Sequence, residues 1–196
     1  REELEEVRDE FATPRVSEIT AAWDGLEDED LMERSEMVVT VTHGGYIKRT
    51  PLDTFRAQRR GGKGRAGMAT KDEDAITELF VTSTHTPVLF FSNHGKVYRL
   101  KVWKLPEGGP QTKGRPMVNL LPLAEGEAIS TVLPLPEDEA EWASLSVMFA
   151  TAKGGVRRNS MDSFTNVPSN GKFAMKFDED SDDHLIGVEL LSDNDD

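Results

Sequence analysis

The sequence contains no cysteine, which excludes disulfide cross-links, thiolate metal sites and thiol nucleophiles. Long apolar runs are also missing: the longest have four or five residues, as at 88–91, whereas a membrane-spanning helix needs about 20. The chain opens on charged residues and not on the apolar stretch of a secretory signal. We therefore expect a cytoplasmic protein that has no membrane partner.

Basic residues are the minority, with 23 Lys and Arg against 36 Asp and Glu and a net charge of -13. Taken alone, this average argues against a nucleic-acid ligand. However, three windows, 48–65, 96–115 and 153–176, hold 18 of the 23 basic residues and only 3 acidic ones. A cationic surface that recurs in this way suits a long polyanion, while the acidic remainder keeps the protein soluble.

From Met37 onward, short strands alternate with glycine turns in a pattern that occurs three times. The repeated positions are the turn glycines Gly45, Gly95 and Gly154, the later glycines Gly64, Gly114 and Gly171, and the strand starts Ile76, Ile129 and Ile186. A period near 50 residues with about four strands is typical of propeller-like arrays, whose small sheets bury each other's faces. We predict an all-β array in which each repeat forms one four-stranded antiparallel sheet. Basic residues beside Ile47, Val97 and Val156 point outward along one rim, while those three apolar residues point inward.

The two ends of the chain differ from this repeat. Leu4, Val7 and Phe11 have helical spacing, which predicts a short helix that ends before Pro14. Residues 12–36 have the composition of an acidic linker. Near the other end, the acidic residues between Asp178 and Glu189 imitate a calcium loop, but Asp183 stands where such a loop needs glycine, so we expect no metal site.

The most specific stretch is QRRGGKG at residues 58–64. Its three glycines allow the backbone to approach a ligand closely, and Arg59, Arg60 and Lys63 suit phosphate oxygens. The stretch is not a nucleotide-binding P-loop, because Gly64 follows the lysine where that loop has Ser or Thr. Composition alone leaves a flexible basic turn equally open.

Residues 41–68, VTHGGYIKRTPLDTFRAQRRGGKGRAGM, resemble the start of the C-terminal domain of the DNA gyrase A subunit, whose gyrase A-box is the sequence at 58–64. The stretches FSNHGKVYRLK and SFTNVPSNGKFAMKF resemble the second and third blades of the gyrase β-pinwheel. REELEEVRDEF resembles the last helix of the preceding breakage-reunion region. The topoisomerase IV family shares the pinwheel but has a degenerate or absent box, so the intact box favours gyrase.

The resemblance implies a partial pinwheel at 37–196, with three of the usual six blades near 37–83, 84–135 and 143–196. Residues 1–36 would then be the end of the helical region and a linker. Residues 192–196 stand where the loop into a fourth blade is expected, so we expect a fragment. Tyr46 and Tyr98 lie on repeated strands without the context of a catalytic tyrosine, and we expect no catalysis by this piece alone.

By resemblance, the domain binds and bends duplex DNA so that an ATP-dependent type II topoisomerase introduces negative supercoils in the bacterial nucleoid. Its partners would be DNA, the gyrase B subunit, which would bind ATP and Mg²⁺, and a second A subunit; no cofactor is expected in this chain. The implied box residues are Gln58, Arg59, Arg60, Gly61, Gly62, Lys63 and Gly64. The predicted rim contacts are Lys48, Arg49, Arg56, Arg65, Lys96, Arg99, Lys101, Lys113, Arg115, Arg157, Arg158 and Lys172. The alternatives are a topoisomerase IV-like domain and a protein-interaction scaffold that uses its acidic faces.

Overall fold

The computed structural model describes residues 2–11, 29–55, 74–178 and 181–192. The chain divides into two compact units, residues 1–31 and 32–196. In the first unit, helix α1 (Glu2–Phe11) forms where the apolar spacing predicts it. Leu4, Val7 and Phe11 are exposed on this helix.

The second unit is built from short strands. They are β1 (Glu36–Thr42), β2 (Tyr46–Pro51), β3 (Ile76–Ser83), β4 (Pro87–Ser92), β5 (Lys96–Lys101), β6 (Arg115–Pro116), β7 (Ile129–Pro134), β8 (Leu145–Thr151), β9 (Val156–Ser160), β10 (Lys172–Phe173) and β11 (Leu185–Ser192). Short 3-10 helices lie at Leu52–Thr54, Val102–Lys104, Met117–Asn119, Glu139–Ser144 and Met161–Phe164. Among the described residues, the strands form three antiparallel sheets with the orders β3-β1-β2-β6, β10-β5-β4-β7 and β11-β8-β9. The all-β, repeated architecture is confirmed.

The fourth strand of a sheet comes from the next repeat, and not from the same repeat as we expected. Strand β6 belongs to the second repeat but pairs with β2 of the first sheet, and β10 of the third repeat pairs with β5. An unpaired edge strand exposes backbone donors and acceptors, which β6 and β10 satisfy. Consecutive sheets are therefore linked through the backbone as well as through their cores.

One edge strand of each sheet lies near the corresponding edge strands of the other two sheets. The Glu78 carboxylate on β3 accepts a hydrogen bond from the Val132 amide on β7 at 3.2 Å. The Thr131 hydroxyl on β7 accepts one from the Val188 amide on β11, also at 3.2 Å. Strands β3, β7 and β11 therefore lie near each other, and β6, β10 and β9 stand at the opposite ends of the sheets.

Two apolar cores separate the sheets, one on each side of the second sheet. Ile47 contributes to the first core and Val97 to the second, and both are fully buried as predicted. In the second core, the Phe91 ring packs edge-on against Phe149 and Phe164 at centroid distances of 5.6 and 5.9 Å. Val156 differs from the prediction that it points inward: it is 65% exposed because β9 is the edge of the third sheet.

Candidate nucleic-acid interface

Strands β6 and β10, which each pair with the sheet of the preceding repeat, both begin with a basic residue that follows a left-handed glycine. Gly114 has a φ of +80° and precedes Arg115 on β6; Gly171 has a φ of +82° and precedes Lys172 on β10. A Cβ at Gly114 would stand 2.5 Å from the Ile47 carbonyl oxygen, so only glycine fits against the neighbouring strand. This tight turn sets the register in which Arg115 pairs with Ile47, and it leaves the Arg115 side chain exposed.

An aromatic ring and lysines accompany each of these basic residues. In the first sheet, the Lys113 ammonium lies 3.7 Å from the centroid of the Tyr46 ring. In the second sheet, the ammonium groups of Lys96 and Lys176 lie 5.5 and 5.8 Å from the centroid of the Phe173 ring. Each cation–π contact supports a lysine while its charge remains available to solvent.

The third sheet presents Arg157 and Arg158 on its edge strand β9, and both are exposed. The Arg157 Nε donates to the Asn159 side chain at 2.9 Å. We define the basic rim as the cations at the β6, β10 and β9 ends of the three sheets. Its members are Lys96, Lys113, Arg115, Arg157, Arg158, Lys172 and Lys176.

The strands at the opposite ends of the sheets lack cations. Strands β3, β7 and β11 contain no Lys or Arg, and their charged residues are Glu78 and Glu189. Burial raises the pKa of the Glu78 carboxyl, although its hydrogen bond from the Val132 amide opposes the shift. The distribution of cations is therefore one-sided in each sheet.

Lys48 is a correction to the predicted rim contacts. Its side chain is fully buried, and its ammonium donates to the carbonyl oxygens of Gly109, Pro110 and Thr112 at 2.9, 2.9 and 3.0 Å. Burial lowers the pKa of Lys48. The loop before β6 folds over the face on which Lys48 lies, and Lys48 holds this loop to the first sheet. The Lys48 ammonium is therefore not free to contact an external ligand.

Arg49 and Arg99 are also occupied by contacts with the next repeat. The Arg49 Nε donates to the Leu105 carbonyl at 2.9 Å, and its guanidinium pairs with Glu107. Arg99 donates to the Thr165 carbonyl at 2.6 Å, pairs with Glu139 and lies 5.0 Å from the Trp142 ring. These two arginines join neighbouring sheets, which sequence reasoning missed.

The remaining predicted residues have different placements. Lys101 is half-buried, and the exposed Lys172 donates to the Ser163 carbonyl at 2.7 Å. Arg56, Arg65 and the whole of the 58–64 box lie outside the described residues. Their contribution to the rim stays a prediction.

A buried tyrosine–glutamate pair was also missed from the sequence. The Tyr98 hydroxyl donates to the Glu127 carboxylate, whose oxygens lie at 3.0 and 3.1 Å. Burial and the adjacent carboxylate raise the pKa of Tyr98. Burial alone would raise the pKa of Glu127, but hydrogen bonds from the Ala124 amide, Ser92 and Tyr98, with the charge of Lys96, bring it below the ordinary value.

The acidic segment near the end of the chain does not form a metal site in the part that the structure describes. Among the described residues, no group of three His, Asp or Glu side chains is arranged to hold a metal ion. The residues after the acidic 178–183 segment form strand β11, as the repeat predicts. No helix in the described part of the chain has the length and apolar character needed to cross a membrane.

Comparison with known proteins places this architecture in a class. A family model described as the DNA gyrase C-terminal domain, beta-propeller, matches residues 36–83, 86–136 and 146–192. The chain resembles the solved C-terminal domain of DNA topoisomerase IV, with a TM-score of 0.67 and 24% identity over 81% of this chain and 46% of that chain. It also resembles the solved DNA gyrase A C-terminal domain, with a TM-score of 0.58 and 23% identity over 81% and 48% of the two chains. The likenesses to solved structures show that the chain shares the fold of those domains, and the family model gives the class as a propeller-like DNA gyrase C-terminal domain.

Curated relatives extend the match beyond the fold. The chain is 57% identical over 188 residues to the DNA gyrase A subunit of Rickettsia bellii, covering 96% of this chain and 21% of the relative. It is 52% identical to the corresponding protein of Granulibacter bethesdensis and 45% identical to that of Staphylococcus aureus, covering 100% of this chain and 21% and 22% of those relatives. The chain belongs to the DNA gyrase A C-terminal domain family, and it spans about a fifth of the length of these relatives.

Proposed function

We propose that this chain binds duplex DNA along the basic rim and wraps it. The observation that carries the proposal is the segregation of charge: cations stand at the β6, β10 and β9 ends of consecutive sheets, and β3, β7 and β11 have none. Lysine and arginine contacts to phosphates release counterions and read little sequence, which suits a surface that must follow a long duplex. The wrap would bend the duplex across successive sheets.

Within a complete gyrase, the box loop at 58–64 would complete a wrap of positive handedness. The wrapped segment would then be presented for passage through the cleaved one, so that the holoenzyme introduces negative supercoils. In this proposal the partners, in the bacterial cytoplasm, are two B subunits, which bind ATP and Mg²⁺, and a second A subunit. Residues 1–36 would join the helical region to the partial pinwheel at 37–196.

The salt dependence of DNA binding tests the proposal most simply. Binding should weaken with a log-log slope of about -0.9 for each phosphate that a cation neutralises. An interaction scaffold that uses the acidic faces would leave the rim idle, and a gel shift on non-specific duplex would then show no complex. A flat salt response contradicts DNA binding through the rim.

The box has its own test in the full-length protein. Replacement of Arg59, Arg60 and Lys63 by alanine should abolish negative supercoiling while relaxation or decatenation continues, since only the wrap is lost. Alanine at Lys104, an exposed lysine in the second basic window, is the control for reduced charge alone. Supercoiling that survives the triple replacement would refute the role of the box.

A further inference from the structure

Phe173 is an exposed aromatic ring within the basic rim. It is 51% exposed and directly follows Lys172 on β10. The ammonium groups of Lys96, which pairs with it across the strands, and of Lys176 lie 5.5 and 5.8 Å from the ring centroid. The ring is therefore an apolar group beside two cations.

The same position in the preceding sheet is also apolar. Pro116 follows Arg115 on β6 as Phe173 follows Lys172 on β10, and Pro116 pairs with Tyr46 as Phe173 pairs with Lys96. Each site thus has an aromatic ring with one or more lysines against it and an apolar residue next to the cation that follows the left-handed glycine; in the first sheet these are Tyr46 and Pro116, and in the second Phe173 is both. This recurrence distinguishes the position from an isolated exposed hydrophobic residue.

Apolar residues beside cations have a known use in bending DNA. Phenylalanine, proline and similar side chains enter between base steps from the minor groove, unstack them in part and kink the duplex. Pyrimidine–purine steps deform most easily, so such a contact gives sequence preference without base-edge hydrogen bonds. A wrapped duplex must bend repeatedly, and a wedge is one way to bend it.

We propose that Phe173 is an apolar wedge that enters a base step of the bound duplex, while Lys96 and Lys176 contact the phosphates on either side. The inference rests on the proposed DNA binding and deepens it, because it assigns a bending residue and a preferred kind of step. Pro116 occupies the corresponding place one sheet earlier. The wedge position would make wrapping sensitive to the spacing of flexible steps.

The test compares Phe173→Gln with Phe173→Leu in the full-length protein, using duplexes that differ only in a central TA step or an A-tract. The unchanged protein should favour the TA duplex by about five-fold and bend it, as measured by end-to-end energy transfer. Gln should remove the preference and reduce the bend, whereas Leu, also apolar, should keep most of both. Ile186→Gln is the matched control, because Ile186 is a similarly exposed apolar residue on β11, at the end without cations.

The salt dependence separates this inference from the proposed function. Phe173→Gln should leave the salt slope unchanged, while Lys96→Ala and Lys176→Ala should each reduce it by about 0.9. If the unchanged protein does not bind duplex, the proposed function fails; if it binds and Phe173→Gln keeps both the step preference and the bend, only the wedge is overturned. If Phe173→Gln lowers the unfolding midpoint, a second experiment uses the unchanged protein and a duplex with 2-aminopurine at the TA step. An increase in fluorescence on binding supports the wedge, and unchanged fluorescence overturns it.

Discussion

At one strand position that recurs in the three repeats, the burial and contacts of the side chain depend on its neighbours. Lys48, Tyr98 and Arg157 pair with Thr40, Phe90 and Phe149, and thus occupy the same place in their three hairpins. Lys48 is buried under three carbonyl groups, Tyr98 is buried against Glu127, and Arg157 is exposed. The loop that covers the position, and not the strand itself, sets the role of each side chain: the 109–112 loop of the next repeat covers Lys48, and the loop of Glu127 in the same repeat contacts Tyr98.

Lys48 should matter for stability and not for DNA binding. Lys48→Met removes three charged hydrogen bonds between the sheet and the 109–112 loop, and we expect a loss of about 2 kcal/mol in the free energy of unfolding. Arg115→Ala, the comparison variant, should leave stability nearly unchanged and reduce the salt slope by about 0.9. Urea denaturation and binding titrations at several salt concentrations measure both effects. A reduced salt slope in Lys48→Met at full stability would contradict this assignment.

Replacement of Gly114 should lower the free energy of unfolding more than replacement of a glycine that has a similar φ but free space around it. Gly114→Ala brings a Cβ to 2.5 Å from the Ile47 carbonyl oxygen in addition to the cost of a positive φ. Gly126 has a φ of +75° and nothing within 4 Å of such a Cβ, so Gly126→Ala isolates the backbone cost of about 1–2 kcal/mol. We expect Gly114→Ala to lose at least about 1 kcal/mol more, since β6 must shift. Equal losses in the two variants would show that the close approach is unimportant.

At the scale of the element, hydrogen bonds to one buried carboxylate hold a loop against its own sheet. The loop before β7 is held to β5 by the Tyr98–Glu127 pair, and Ala124 also donates its amide to Glu127 at 2.8 Å. Because these bonds require the carboxylate, the loop depends on the charge of a buried group. The pH dependence of stability therefore reports on this attachment.

Glu127→Gln should change that pH dependence. The pKa of Glu127 is lower in the folded chain than its ordinary value, so its contribution to stability is complete above the ordinary carboxyl pKa and is lost as pH falls through the folded value. Gln should cost about 1–3 kcal/mol at neutral pH and flatten the acid limb of the stability curve. Urea unfolding between pH 3 and 7 (roughly the carboxyl range) measures this. Parallel curves for both proteins would contradict the role of the carboxylate.

The repeat and the fold class could be predicted from the sequence because glycine turns and apolar strands recur at a nearly fixed spacing. The origin of the fourth strands could not, since β6 and β10 have two residues each and no periodicity of their own. For the site, Arg115 and Lys172 could be predicted from the glycine before each of them. Lys48 has the same basic-beside-apolar pattern, and only the position of the 109–112 loop distinguishes it.

At the scale of the whole molecule, a net charge of -13 is compatible with DNA binding because the cations and the acidic residues are separated. The cations of the basic rim lie at one end of three linked sheets, and the strands at the other end contain no basic residue. A duplex that follows this end would meet one group of cations per sheet. The path of the duplex, and therefore its wrap, would be set by the way the sheets are joined.

The central claim is that the rim wraps duplex DNA, and DNA topology measures it directly. Nicked circular DNA would be ligated in the presence of the full-length protein, and the change in linking number would be read after the protein is removed. The account predicts a positive change that grows with protein, is lost at high salt and is abolished by Arg115→Glu with Lys172→Glu. An unchanged linking number, or a change that the double replacement leaves intact, would contradict it.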